Sequence, residues 1–170
     1  MLSAFNEYFE SLRGKKIAVL GLGVSNRPLV RLLLRFGCNV TGCDKAPRER
    51  LEDEVLELEK SGCVLSLGDT YLDGIEADVV FRTPGMHPGN PAIEGLRRKG
   101  AKITSEMEVF FELCKCHTIA ITGSDGKTTT TTLVSELLYG GSHKRSDVCA
   151  AAARPRENVS TLIALAPSAK

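Results

Sequence analysis

The stretch Lys16-Ile17-Ala18-Val19-Leu20-Gly21-Leu22-Gly23-Val24-Ser25-Asn26 decides the fold. Five residues with an apolar run bounded by glycines suit a strand buried on both faces of a parallel sheet. Two closely spaced glycines follow, and then Pro28 opens a segment with Leu29, Leu32, Leu33 and Phe36 at helical spacing. Gly37 ends that helix. Strand, glycine turn and helix in this order bring free backbone N–H groups and a positive helix end to one point, where an anion such as a pyrophosphate is held. The third glycine of the usual fingerprint is replaced by Asn26.

Working outward, Asn39 to Cys43 reads as a second strand closing at Asp44, 21 residues past Gly23. An acid at that place meets a ribose or base edge. Residues 48–60 form a charged helix with Leu51, Val55, Leu56 and Leu58 as its apolar positions, and Cys63–Leu67 and Ala77–Phe81 read as further strands. The turn-rich stretch Thr83-Pro84-Gly85-Met86-His87-Pro88-Gly89-Asn90-Pro91 precedes a helix over 91–99; Ile103 and a helix over 105–114 follow. Strands alternating with helices imply right-handed βαβ crossovers and a parallel sheet.

Thr118–Thr122 is another buried-type strand, running into Gly123-Ser124-Asp125-Gly126-Lys127-Thr128 and a helix through about Leu138. Backbone N–H groups of such a loop surround a phosphate chain, the Lys127 charge neutralises its outer phosphates, and the Thr128 hydroxyl reaches Mg²⁺. Ile121 stands where the full phosphate-loop pattern has its first glycine. After Gly140-Gly141-Ser142, residues 143–159 lack usable periodicity, and Thr161–Leu165 is the only later apolar run.

Composition excludes several classes. With 170 residues the chain holds one well-packed domain and part of a second. A formal net charge of +1 and an aromatic content of 5% without Trp argue against a nucleic-acid or membrane partner. The acidic, interrupted N-terminus lacks the apolar stretch of a secretory signal, and no apolar run reaches membrane-spanning length. The chain reads as cytosolic. Cys38, Cys43 and Cys63 lie in or beside strand-like segments and read as reduced structural thiols. Cys114-Lys115-Cys116-His117 lacks a second ligand pair at zinc-like spacing. His143, Glu136 and Glu157 sit in no motif and receive no role.

The two loops in this order resemble the Mur ligases, and among them the D-glutamate-adding members, over roughly residues 15–138. Gly21-Leu22-Gly23-Val24-Ser25 is similar to the family's uridine-diphosphate loop, Asp44 to its uracil-holding acid, and Thr83-Pro84-Gly85 to its Ser-Pro-Gly turn. Gly123-Ser124-Asp125-Gly126-Lys127-Thr128-Thr129 is similar to its ATP loop, with Asp125 where Asn is usual. The resemblance implies an α/β fold: a Rossmann-like UDP-sugar-binding domain over 1–115, then an incomplete P-loop β-α unit, the start of an ATP-binding domain, over 116–139. Residues 140–170 are left as a divergent, poorly ordered tail that exchanges amide hydrogens quickly, with Thr161–Leu165 as a parallel partner for 118–122.

It further implies peptidoglycan-precursor chemistry, with ATP and Mg²⁺ as cofactors and UDP-N-acetylmuramoyl-L-alanine and D-glutamate as substrates. ATP phosphorylates the substrate carboxylate, and the D-glutamate amine attacks the acyl phosphate. Such enzymes are far longer, so a truncated or frame-shifted product that is inactive alone is expected. Two other readings stay open: a UDP-sugar-binding module without catalysis, and a nicotinamide oxidoreductase fragment. Gly21, Gly23 and Asp44 suit the latter, whereas Lys127 and Thr128 argue against it.

Overall fold

A computed structural model of the chain describes residues 2–83, 85–87, 89–114, 117–122, 124–140, 148–151 and 161–165. They divide into two units, Met1–Leu113 and Cys114–Lys170.

The first unit is built around β1 (Lys16–Leu20), whose last four residues are buried. Ile17 and Val19 face one apolar cluster, and Ala18 and Leu20 face another. A strand with no polar side has to be central, because both faces must be covered. β2 (Asn39–Asp44) and β3 (Val64–Leu67) extend the sheet on one side. β4 (Val79–Arg82) and β5 (Lys102–Thr104) extend it on the other. All pairs are parallel, in the order β3-β2-β1-β4-β5. The sheet is Rossmann-like, and β5 adds a strand at Ile103, where sequence patterning gave none.

After β3 the chain crosses back to lay β4 beside β1, which opens a switch point above the carboxyl ends of those strands. α1 (Leu2–Glu10), α2 (Asn26–Arg35), α3 (Asp53–Lys60) and α5 (Glu106–Leu113) contribute Phe9, Leu33, Val55, Leu58 and Val109 to the first cluster. α4 (Pro91–Arg98) covers the opposite face through Ile93 and Leu96. The helix expected over 48–60 is interrupted: a 3-10 turn at Arg48–Arg50 comes first, and Leu51 and Glu52 are extended.

In the second unit, β6 (His117–Ile121), α6 (Lys127–Gly140), β7 (Val148–Ala151) and β8 (Thr161–Leu165) form a three-stranded sheet in the order β6-β8-β7, with α6 packed on it. Within 140–170, read from the sequence as a poorly ordered tail, the described residues are Gly140 at the end of α6 and the strands β7 and β8. β8 is also antiparallel to β6, His117 opposite Leu165, where a parallel pairing was expected. The reason is topological. The crossover through α6 delivers β7, which runs in the same direction as β6, and β8 returns between them, antiparallel to both. The remaining residues of 140–170 lie outside the described residues, as do Gly123 and Pro84. Among the described residues no helix is long and apolar enough to cross a membrane.

Candidate functional site

The turn after β1 is held from four directions. Gly21 has φ +88 and donates its N–H to the Cys43 carbonyl at 2.7 Å. A side chain at Gly21 would lie 3.3 Å from Thr83, in a backbone conformation that disfavours any Cβ. Thr83 N–H in turn bonds Leu20 O at 3.1 Å, so the glycine turn and the start of the Thr83–Met86 turn are one packed unit. The Leu22 N–H donates to Asp44 Oδ2 at 2.7 Å, while Asp44 Oδ1 accepts from Ala46 N–H at 2.9 Å. Leu22 itself is buried over Gly42, where a Cβ would come within 2.8 Å of Leu22 Cδ2.

Asn26 is the departure from the glycine fingerprint, and its buried amide has a use. Nδ2 donates to Gly21 O at 2.8 Å and to Leu20 O at 3.4 Å, satisfying carbonyls where β1 ends. Arg27, also buried, donates from Nε to Leu22 O at 3.1 Å and from its guanidinium to Glu52 and Glu54. The extended residue before α3 therefore carries one of the carboxylates that neutralise a buried cation. Sequence reasoning missed Asn26, Arg27, Gly42 and Thr83 as braces. Only the polar pair Asn26-Arg27 at the first turn of α2 hinted at the first two.

What these braces present is a short strip of backbone. Gly23, Val24 and Ser25 are exposed, and nothing lies within 4 Å of the position a Cβ at Gly23 would take. Among the described residues the N–H groups of these three meet no acceptor, and Ser25 makes no side-chain cap although it stands at the N-terminus of α2. Unfilled donors at a helix start attract an anion. Gly85, exposed in the turn closed by Met86 N–H on Thr83 O at 3.1 Å, follows β4, the neighbour of β1. Thus Gly21, Gly23, Val24, Ser25, Asp44 and Gly85 are gathered at the carboxyl edge of the parallel sheet.

The other candidates belong to the second unit. Gly126 has φ +74 and accepts from Thr130 N–H at 2.9 Å, which starts α6. Ser124, Asp125, Thr128 and Thr129 are exposed, and Lys127 Nζ donates to Ser124 O at 3.0 Å across its own loop. Thr131 and Thr132 turn their hydroxyls back to the carbonyls of Lys127 and Thr128. Gly123 lies outside the described residues.

The chain is similar to curated ligases. The chain is 47% identical over 145 residues to the UDP-N-acetylmuramoylalanine–D-glutamate ligase of Clostridium novyi (strain NT), covering 85% of this chain and 32% of that one. It is 49% identical over 139 residues to the ligase of the same name from Clostridium botulinum (strain Hall), covering 81% of this chain and 30% of that one.

This chain belongs to the Mur ligase family.

It matches the N-terminal portion of these ligases and spans about a third of their length. A solved murein peptide ligase from Psychrobacter arcticus 273-4 is 27% identical over 74% of this chain and 26% of that chain, with a TM-score of 0.44. No family model matches the chain.

Proposed function

We propose that the first unit binds UDP-N-acetylmuramoyl-L-alanine, that the second holds the phosphates of ATP, and that both serve an ATP-dependent ligation of D-glutamate in peptidoglycan-precursor synthesis. The observation that carries this reading is the open Gly23–Ser25 strip at the switch point, in a chain 47% identical to a relative named for that ligation. The substrate diphosphate rests on the N–H groups of Gly23, Val24 and Ser25 and the positive end of α2. Gly21 keeps the backbone close to it, and Gly85 closes the opposite wall without a side chain. Asp44 takes the uridine end with the lone pairs that its bonds to Leu22 and Ala46 leave free.

In the second unit Gly123, Ser124, Asp125 and Gly126 wrap the phosphate chain of ATP, and Thr129 flanks it at the helix start. Lys127 leaves its contact with Ser124 O to neutralise the outer phosphates. The exposed Thr128 offers a hard oxygen suited to Mg²⁺. When bound, the metal supplies charge neutralisation at the transferring phosphate. The phosphoryl group goes to the carboxylate of the UDP-linked substrate, and the D-glutamate amine displaces phosphate from the resulting acyl phosphate. These residues position and neutralise, which is most of what phosphoryl transfer asks of a protein. The cytoplasm, where both nucleotides are dissolved, is the proposed setting.

Titration calorimetry with UDP-N-acetylmuramoyl-L-alanine and with NAD tests the first site. The uridine ligand is expected to bind more tightly, and tighter NAD binding would return the oxidoreductase reading. For the second site, Lys127→Ala is expected to weaken ATP by tenfold or more, on the scale of about 1.5–3 kcal/mol for a charged hydrogen bond. Unchanged ATP affinity in that variant would remove the ATP loop from the assignment.

A further inference from the structure

Beyond Asp44 the carboxyl edge of the sheet continues to the end of β3, and one aromatic residue is fixed there. Gly68 N–H donates to Asp44 O at 3.0 Å, which ties the residue after β3 to the tip of β2. Tyr71 N–H then donates to Gly68 O at 3.2 Å, and the Tyr71 carbonyl accepts from Ser66 Oγ at 2.9 Å. Both backbone polar groups of Tyr71 are thus spent on the end of β3 and the residue that follows it. Its half-buried ring packs on the apolar cluster that contains Cys43. The Gly68 link to Asp44 O and the packing on the cluster that holds Cys43, the residue before Asp44, bring Tyr71 to the tip of β2. Burial, and then the Asp44 charge, pushes the Tyr71 hydroxyl above the usual phenol value.

A nucleotide anchored by its phosphates at Gly23–Ser25 and by its sugar or base edge at Asp44 extends from β1 over β2 toward β3. A rigid aromatic side chain with part of its surface exposed is what a base needs to rest on, since every base offers a π-face. We propose that Tyr71 is the platform for the nucleobase of the bound nucleotide, on the β3 side of Asp44. This rests on the first unit being a uridine-nucleotide site. It adds a residue outside the glycine motifs that contributes through ring contact rather than through charge.

The chain has no Trp and three tyrosines, Tyr8, Tyr71 and Tyr139, so tyrosine emission reports on the site directly. Uridine diphosphate titrated into the wild-type chain should change that emission saturably, with calorimetry giving the affinity independently. Tyr71→Phe keeps an aromatic face and should bind within about threefold of wild type, yet lose the ligand-dependent emission change. Tyr71→Leu should bind about tenfold or more weakly, the loss expected for one stacked base, while inorganic pyrophosphate binds both variants as it does wild type. An emission change that persists in Tyr71→Phe, or unweakened uridine diphosphate in a folded Tyr71→Leu, would overturn the proposal and leave the uridine site standing. Failure of the wild-type chain to bind uridine diphosphate at all would remove both.

Discussion

Asp44 Oδ2 and the Leu22 N–H meet at 2.7 Å across 22 residues of sequence. The tip of β2 thereby holds the turn after β1, and the carboxylate proposed to meet the uridine is also a structural part of the phosphate loop.

Removal of that carboxylate therefore has two effects. Asp44→Ala should weaken UDP-N-acetylmuramoyl-L-alanine by about 1.5–3 kcal/mol, the value of a charged hydrogen bond, and should also lower the melting temperature. Calorimetry and thermal melts separate the two. A large loss of affinity with unchanged stability would mean that the brace to Leu22 contributes nothing.

Gly21 and Gly23 should separate fold from binding. Gly21→Ala forces a Cβ into a left-handed backbone 3.3 Å from Thr83, and should destabilise the chain by about 1–2 kcal/mol in denaturant melts. Gly23→Ala meets open space, so its stability should stay within about 0.5 kcal/mol of wild type. Its methyl group stands where the diphosphate is proposed to lie, so its affinity for the uridine ligand should fall while its melt does not change.

The buried thiols set an alkaline limit. Burial pushes Cys43 up to about 12 and Cys63 up to about 11, from an ordinary 9.0. Tyr8 is pushed up to about 12, by burial first and then by Glu112. Each group holds its proton more tightly when folded, so its contribution is full below the unfolded value and declines as pH rises through the folded one. Stability should fall from about pH 9 upward, and Cys43→Ala with Cys63→Ala should flatten that decline in urea melts at pH 8 and pH 10. An identical slope in the double variant would show that other groups govern alkaline unfolding. Cys38, Cys43 and Cys63 are all free and buried, so thiol reagents should reach them only on unfolding.

Amide exchange should rank the two sheets. β1 is laddered on both edges and covered on both faces, so it should be the most protected segment. β8 is also laddered on both edges, yet its sheet has three strands, and α6 leaves Leu133 and Leu137 exposed while burying Thr131 and Ser135. Its amides should exchange faster than those of β1 and more slowly than those of the exposed Gly23–Ser25 turn. Exchange in β8 as fast as in that turn would support the reading of the segment as an unstructured tail.

The sequence by itself determined the strand–glycine–helix unit, the parallel sheet and the residues at its carboxyl edge. Those follow from local rules: an apolar strand buried on both faces has to be central, and a left-handed turn at Gly21 needs a glycine. The tertiary structure alone decided that Asn26 serves where a third glycine was expected, because its use is to satisfy carbonyls that only the fold brings near. It also decided that Arg27, Glu52 and Glu54 form one charged cluster, and that Tyr71 is tied through Gly68 to the tip of β2. Each joins residues from separate elements, and sequence spacing carries no information about such meetings. The direction of β8 was illegible for the same reason: periodicity identifies an apolar strand, but pairing direction is fixed by how the chain returns to its neighbours.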